Sequence, residues 1–188
     1  MLTVYTLLYC RANEDKEGNF IFFDSVRKGF PNAQINVYSN ANSKEFNKKA
    51  KSKCESIDAN FIELKDEIQH YYFIEHILNA KNKPFYIIDP DTVWFDEMPL
   101  KFDADIAGRY IPNFYDKYSD TNTFSRLHTS CLYVNPVSTK EHLAQTAFSG
   151  EINLIKPTIF YLNKIRFRHD TCSSLYHFLK AVVLKLVL

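Results

Sequence analysis

Short apolar runs alternate with amphipathic stretches from residue 2 to residue 90 of this chain. Residues 2 to 10, LTVYTLLYC, have the length and the β-branched and aromatic content of a strand, as do QINVYS at 34 to 39 and FIEL at 61 to 64. Between the first two, Phe22, Phe23, Val26 and Phe30 recur at helical spacing, and Gly29 with Pro31 forms a stop signal. SKEFNKKAKSKCE then reads as a helix or a loop whose five lysines and two glutamates make a solvated face. Asp66 with Gln69 three residues on has the pattern of a capping box, and Ile68, Tyr71, Tyr72, Ile74 and Leu78 give the following helix an apolar side. Phe85, Tyr86, Ile87 and Ile88 are apolar in succession, as in a strand buried on both faces. DIAGRY (105 to 110) and SCLYVNP (130 to 136) predict two further strands, and FYLNKIRF is strand-like. From Leu175 onward, Phe178, Leu179, Val182, Val183 and Leu186 fall on one helical stripe.

Strands alternating with helices imply right-handed crossovers and a mainly parallel sheet with ligands at the carboxyl ends of the strands. The expectation is an α/β, Rossmann-like single domain over residues 1–188, and a chain of 188 residues with 46% hydrophobic side chains has enough material for its core. The net charge of +1 gives no overall field that would favour nucleic acid. Four dispersed cysteines without a CxxC pair fit reduced thiols and a cytoplasmic location. The opening MLTVYTLLYCR lacks a basic n-region and a small-residue cleavage site, so it reads as a strand and not as a signal peptide. With only four glycines, functions that need a Gly-rich phosphate loop are disfavoured.

The buried run at 85 to 88 leads straight into Asp89 and Asp91. Two residues apart on an extended segment, both carboxylates reach one hard cation, Mg²⁺ or Mn²⁺, which keeps open positions for phosphate oxygens and neutralises charge on a departing diphosphate. Asp103 and Asp105 repeat the spacing but precede their strand, at the edge of a parallel sheet opposite the ligand crevice. His70, His76, His128, His142 and His177 have no metal-ligand spacing.

TVYTLLYCR, FFDSVRKGFPNAQINVYSN, YIIDPDTVWFDEMP, ADIAGRY and HTSCLYVNP, in that order, resemble GT-A fold glycosyltransferases, the family 8 type most of all. The resemblance covers residues 3 to 136 and is most specific at the DxD with its flanks. It implies a three-layer GT-A-like domain that takes a nucleotide-sugar donor, a Mn²⁺ or Mg²⁺ cofactor, and a carbohydrate, lipid-linked or protein acceptor. Carried over, Asp91 would ligate the metal, Asp89 would lie near the ribose or in the metal shell, and Tyr9 and Arg11 would sit beside the base and phosphates. His169 would complete the metal site, and Asp170 would be the base of an inverting reaction. The pattern departs at Thr129, where asparagine is common, and at Cys131, where glycine is common; the HxxGxxKPW motif is missing apart from Lys156 and Pro157. These enzymes are commonly longer, which implies a reduced or truncated acceptor part. The C-terminal stripe, flanked by Lys180 and Lys185, would also suit peripheral contact with an anionic membrane surface.

Other readings compete for the same residues. IIDPDTV fits the first motif of a haloacid-dehalogenase-type phosphohydrolase, with Asp89 as nucleophile and Asp91 as general acid, but three strands precede it and no strand leads into Asp116 and Asp120. A sugar nucleotidyltransferase would want a glycine-rich loop after the first strand. A GT-A-like domain that binds a sugar nucleotide without turnover is the third reading.

Overall fold

The structure is a computed structural model and describes residues 1–9, 17–112, 114–117, 121–123, 126–145, 158–162, 165–169 and 181–183. Its main sheet contains β1 (Thr3–Leu8), β2 (Gln34–Asn40), β3 (Asn60–Leu64), β4 (Phe85–Ile88), β5 (Ile106–Ile111), β8 (Arg126–Val134) and β11 (Ala181–Val183). The strand order is β11-β5-β8-β4-β1-β2-β3. Every neighbouring pair is parallel except those made by β8, which runs antiparallel to both β4 and β5. A four-stranded sheet of order β6-β7-β10-β9 is built from β6 (Phe114–Asp116), β7 (Thr121–Thr123), β9 (Thr158–Leu162) and β10 (Ile165–His169). The fold is α/β with a mostly parallel, Rossmann-like main sheet, as the alternation of elements predicts.

The period-two alternation of the strands explains the layers. Val4, Leu8, Ile35, Val37, Tyr86 and Ile88 face a 3₁₀ helix (Glu17–Asp24), the short α1 (Val26–Gly29) and α2 (Lys44–Ser56), whose Phe22, Phe23, Phe46 and Ala50 are buried with them. Tyr5, Leu7, Phe85 and Ile87 face the other way, onto Phe73, Ile74, Ile77 and Leu78 of α3 (His70–Ala80). Helices therefore cover both faces, and β4 is buried at all four positions.

Three expectations are corrected. The Phe22–Phe30 run is not one helix: the backbone bonds Phe22 O to Ser25 N and Ser25 O to Lys28 N tighten the winding, although the predicted apolar residues are all buried. Asp66 and Gln69 form no capping box, because Gln69 is itself the extended N-cap residue and makes no side-chain cap bond. Ala181–Val183 is a strand parallel to β5, so the helical stripe proposed from Leu175 fails where it is described, and the membrane contact built on it loses its helix. The rest of that stripe lies outside the described residues.

One irregularity sets up the site. Along the β5–β8 ladder, Gly108 pairs with Leu132, yet the next residue, Arg109, pairs with His128. The intervening Thr129, Ser130 and Cys131 bulge away from β5 and toward the end of β4, where Cys131 pairs with Ile88. A bulge of this kind re-aims side chains. Gly108 permits it, because a Cβ there would stand 2.9 Å from the Cys131 carbonyl oxygen and 3.3 Å from Leu127 Cβ. Gly108→Ala is expected to cost about 2 kcal/mol, read from the midpoint of chemical denaturation, since the obstacle is backbone that must shift.

Candidate functional site

The carboxyl edge of the main sheet holds a cleft of about 510 Å³, lined by Leu7, Tyr9, Asn40, Glu67, Ile68, Gln69, His70, Asp89, Pro90 and Asp91. Three adjacent strands deliver its floor: Asp89 directly follows β4, Tyr9 directly follows β1, and Asn40 is the last residue of β2. Asp103 and Asp105 precede β5, at the opposite edge, and the Asp105 carbonyl accepts bonds from Asn135 N and Thr139 Oγ1.

Asp89 and Asp91 do not lie on an extended segment. The Asp89 carbonyl accepts from Thr92 N at 3.2 Å, closing a turn with Pro90 at its first corner. Both side chains still reach the cleft, but in different settings: Asp89 is half-buried and Asp91 exposed. The bulged segment of β8 holds the turn, as Ser130 O accepts from Asp89 N at 3.2 Å and from Thr92 Oγ1 at 3.0 Å. Thr129 Oγ1 donates to Asp89 Oδ2 at 3.2 Å, while His70 Nε2 lies 3.6 Å from Oδ1. Burial lifts the Asp89 carboxyl above its ordinary range, against the pull of His70, His128 and the Thr129 hydroxyl, and the Asp91 charge adds to the rise. Beneath the turn, burial first and the Asp89 charge second push the Cys131 thiol up to about 12, so it is no nucleophile at neutral pH.

The upper wall is the stretch between β3 and α3. Asn40, buried at the end of β2, donates from Nδ2 to Ile68 O and accepts from Ile68 N, both at 2.8 Å. Tyr9 Oη donates to Glu67 Oε1 at 2.7 Å, and His70 reaches Asp89. The wall is thus tied to β2, β1 and β4 in turn. Of the residues singled out by sequence, Tyr9, Asp89 and Asp91 meet here. Arg11 and Asp170 lie outside the described residues; His169 is described only by its backbone, paired with Thr158 in the smaller sheet. Asn40, Glu67, His70 and Thr129 join the site without a sequence signal that announces them, being brought there by the topology.

Among the described residues the lining contains three carboxylates and no lysine or arginine. Among the described residues no group of three or more His, Cys, Asp or Glu is gathered as a metal cage. Asp91 with Asp89 nonetheless fits a Mg²⁺ or Mn²⁺ ion of the kind that is bound through one or two carboxylates and takes its other ligands from water and phosphate.

No protein-family profile matches the chain, and no curated protein sequence does. Among solved structures, the mannosyltransferase PcManGT from Pyrobaculum calidifontis, in complex with GDP-Man and Mn2+, matches with a TM-score of 0.56 at 10% identity. The chain shares its fold with a glycosyltransferase. The match covers 97% of this chain and 54% of the mannosyltransferase, so this chain spans about half the length of that enzyme. The PaToxG glycosyltransferase matches at a TM-score of 0.48 and 11% identity, over 93% of this chain and 67% of its own.

Proposed function

We propose that this chain is a divalent-metal-dependent glycosyltransferase that uses a nucleoside diphosphate sugar as donor. The observation that carries the reading is the cleft: the Asp89–Asp91 turn lies at the carboxyl edge of a Rossmann-like sheet, where the described lining residues carry three carboxylates and no cationic side chain other than a histidine. A doubly or triply negative diphosphate brought beside Glu67, Asp89 and Asp91 is repelled unless a cation accompanies it. Mn²⁺ or Mg²⁺ held by Asp91 and Asp89 would supply that charge and stabilise the departing diphosphate. The protein's own part is positional. Asp91 is exposed and free to reach the ion, whereas Asp89 is steadied by Thr129 and by the backbone of Ser130. Leu7, Ile68 and Pro90 supply apolar surface against which a base and ribose can lie. The fold shared with a mannosyltransferase that binds GDP-Man and Mn2+ supports the same class of donor.

The test is a thermal-shift screen of nucleoside diphosphates with and without Mn²⁺. A donor nucleotide at a hundredfold excess over its dissociation constant stabilises by about 2.7 kcal/mol. In a chain of this size that is roughly 5–10 °C, and the gain should vanish when the metal is chelated. Release of phosphate from a general phosphatase substrate, with no nucleotide giving a shift, would overturn the reading in favour of a phosphohydrolase.

A further inference from the structure

We propose that Glu67 reads the base of the donor and selects guanine, an inference that rests on the nucleotide-sugar reading above. Glu67 is placed by two independent restraints. Tyr9 Oη, one residue beyond β1, donates to its Oε1 at 2.7 Å, and the next residue, Ile68, is fixed by both of its backbone polar groups to the Asn40 side chain at the end of β2. Glu67 therefore stands over β1 and β2, while Asp89 and Asp91 follow β4, the neighbour of β1. Adjacent strands are about 4.8 Å apart, so the offset is one to two strand spacings, the separation between the diphosphate and the base of a nucleotide laid along the sheet edge. Phosphates at the aspartate turn put the base at Glu67.

A carboxylate only accepts hydrogen bonds. Guanine presents two adjacent donors, N1–H and the 2-amino group, which match the two oxygens of one carboxylate. Adenine and cytosine each place a ring acceptor beside their amino group, and uracil has one N–H between two carbonyls, so each offers Glu67 a single bond next to a repulsion. Oε1 keeps a second lone pair after taking the Tyr9 proton, and Oε2 has no partner among the described residues. The tyrosine bond also holds the carboxylate in one orientation, which makes Tyr9 a positioning residue for the recognition.

Calorimetric titration of the full chain in Mn²⁺ with GDP, IDP, UDP and ADP tests this. IDP lacks only the 2-amino group, so GDP should bind about tenfold more tightly than IDP, the low end for bidentate recognition of a base. Glu67→Gln removes one acceptor and adds a donor. It should weaken GDP about tenfold, bring the GDP to IDP ratio to near one, and leave UDP unchanged or tighter, because a carboxamide matches N3–H with its neighbouring carbonyl. Tyr9→Phe should shrink the GDP to IDP ratio without changing UDP affinity, which a merely structural tyrosine would not do selectively. Equal binding of GDP and IDP by the unaltered protein, or a ratio unmoved by Glu67→Gln, overturns the inference. UDP as the tightest ligand in Mn²⁺ overturns guanine selection but leaves the nucleotide-sugar reading standing. If no nucleoside diphosphate binds, with or without Mn²⁺, both fall.

Discussion

Asp91→Asn is expected to reduce metal-dependent nucleoside diphosphate binding by more than about a hundredfold, because loss of even a residue behind a metal ligand costs 10- to 100-fold. The substitution keeps the shape of the side chain and removes a charge at an exposed position, so folding stability should change by no more than about 0.5 kcal/mol. Titration with nucleotide and Mn²⁺, beside a denaturation curve, reads both quantities. Asp103→Asn is the matched control: it alters an aspartate in the second DxD, at the opposite edge of the sheet, and should leave binding intact. If Asp103→Asn were the damaging change and Asp91→Asn harmless, the functional edge of the sheet would be the other one.

Arg27→Ala should instead cost about 3 kcal/mol of stability and leave the cleft's chemistry alone. Nε donates to Ile57 O at 2.8 Å and Nη2 to Asp58 O at 2.7 Å, while Nη1 reaches Ala33 O at 2.8 Å and Phe30 O at 3.3 Å. These carbonyls belong to the C-terminal end of α2 and to the turn that precedes β2, so one guanidinium joins the two connections at the amino edge of the sheet. Truncation leaves several part-buried acceptors without their charged donor, and each such bond is worth about 1.5–3 kcal/mol before solvent takes part of it back. Urea denaturation should show the loss, and a thermal midpoint should fall by roughly 6–12 °C for a chain of this size. Arg27→Lys should recover less than half, because an ammonium cannot reproduce the planar fork. Nucleotide affinity measured well below the midpoint should not move in either variant.

The parts of the fold that were legible in the sequence are those in which one local signal suffices. Phe85–Ile88 is four apolar residues long, too short for an ordinary helix and bounded by Pro84 and Pro90, and it is a strand buried at every position with the DxD at its exit. The start of α3 departs from the capping-box pattern because the pairing of Asp66 with Gln69 carries weight only if residue 66 begins the helix. The backbone of Ile68 is instead claimed by Asn40, 28 residues earlier, and the chain stays extended through Gln69. Val182 and Val183 fit a helical stripe as well as a strand, since a short apolar run satisfies both periods, and pairing with β5 decides the matter from outside the run. The same limit governs the site. Asp89 and Asp91 announce themselves by spacing, but His70 and Thr129 reach Asp89 from a helix start and a bulged strand that only the folded topology brings near.

Trp94, the chain's single tryptophan, stands three residues after Asp91 and is 4% exposed. Its indole lies flat against Gly29, where a Cβ would come within 3.0 Å of the ring, and its backbone N–H donates to Ser25 Oγ at 3.0 Å. The protein thereby carries an intrinsic optical reporter at the place where function is proposed. Emission from a lone, dry indole is blue-shifted and cannot be confused with that of any other tryptophan. Detachment of the segment behind Asp91 would move it to the red, ahead of global unfolding if that edge opens first, so fluorescence compared with circular dichroism along one denaturant series would separate local fraying from collapse of the whole sheet.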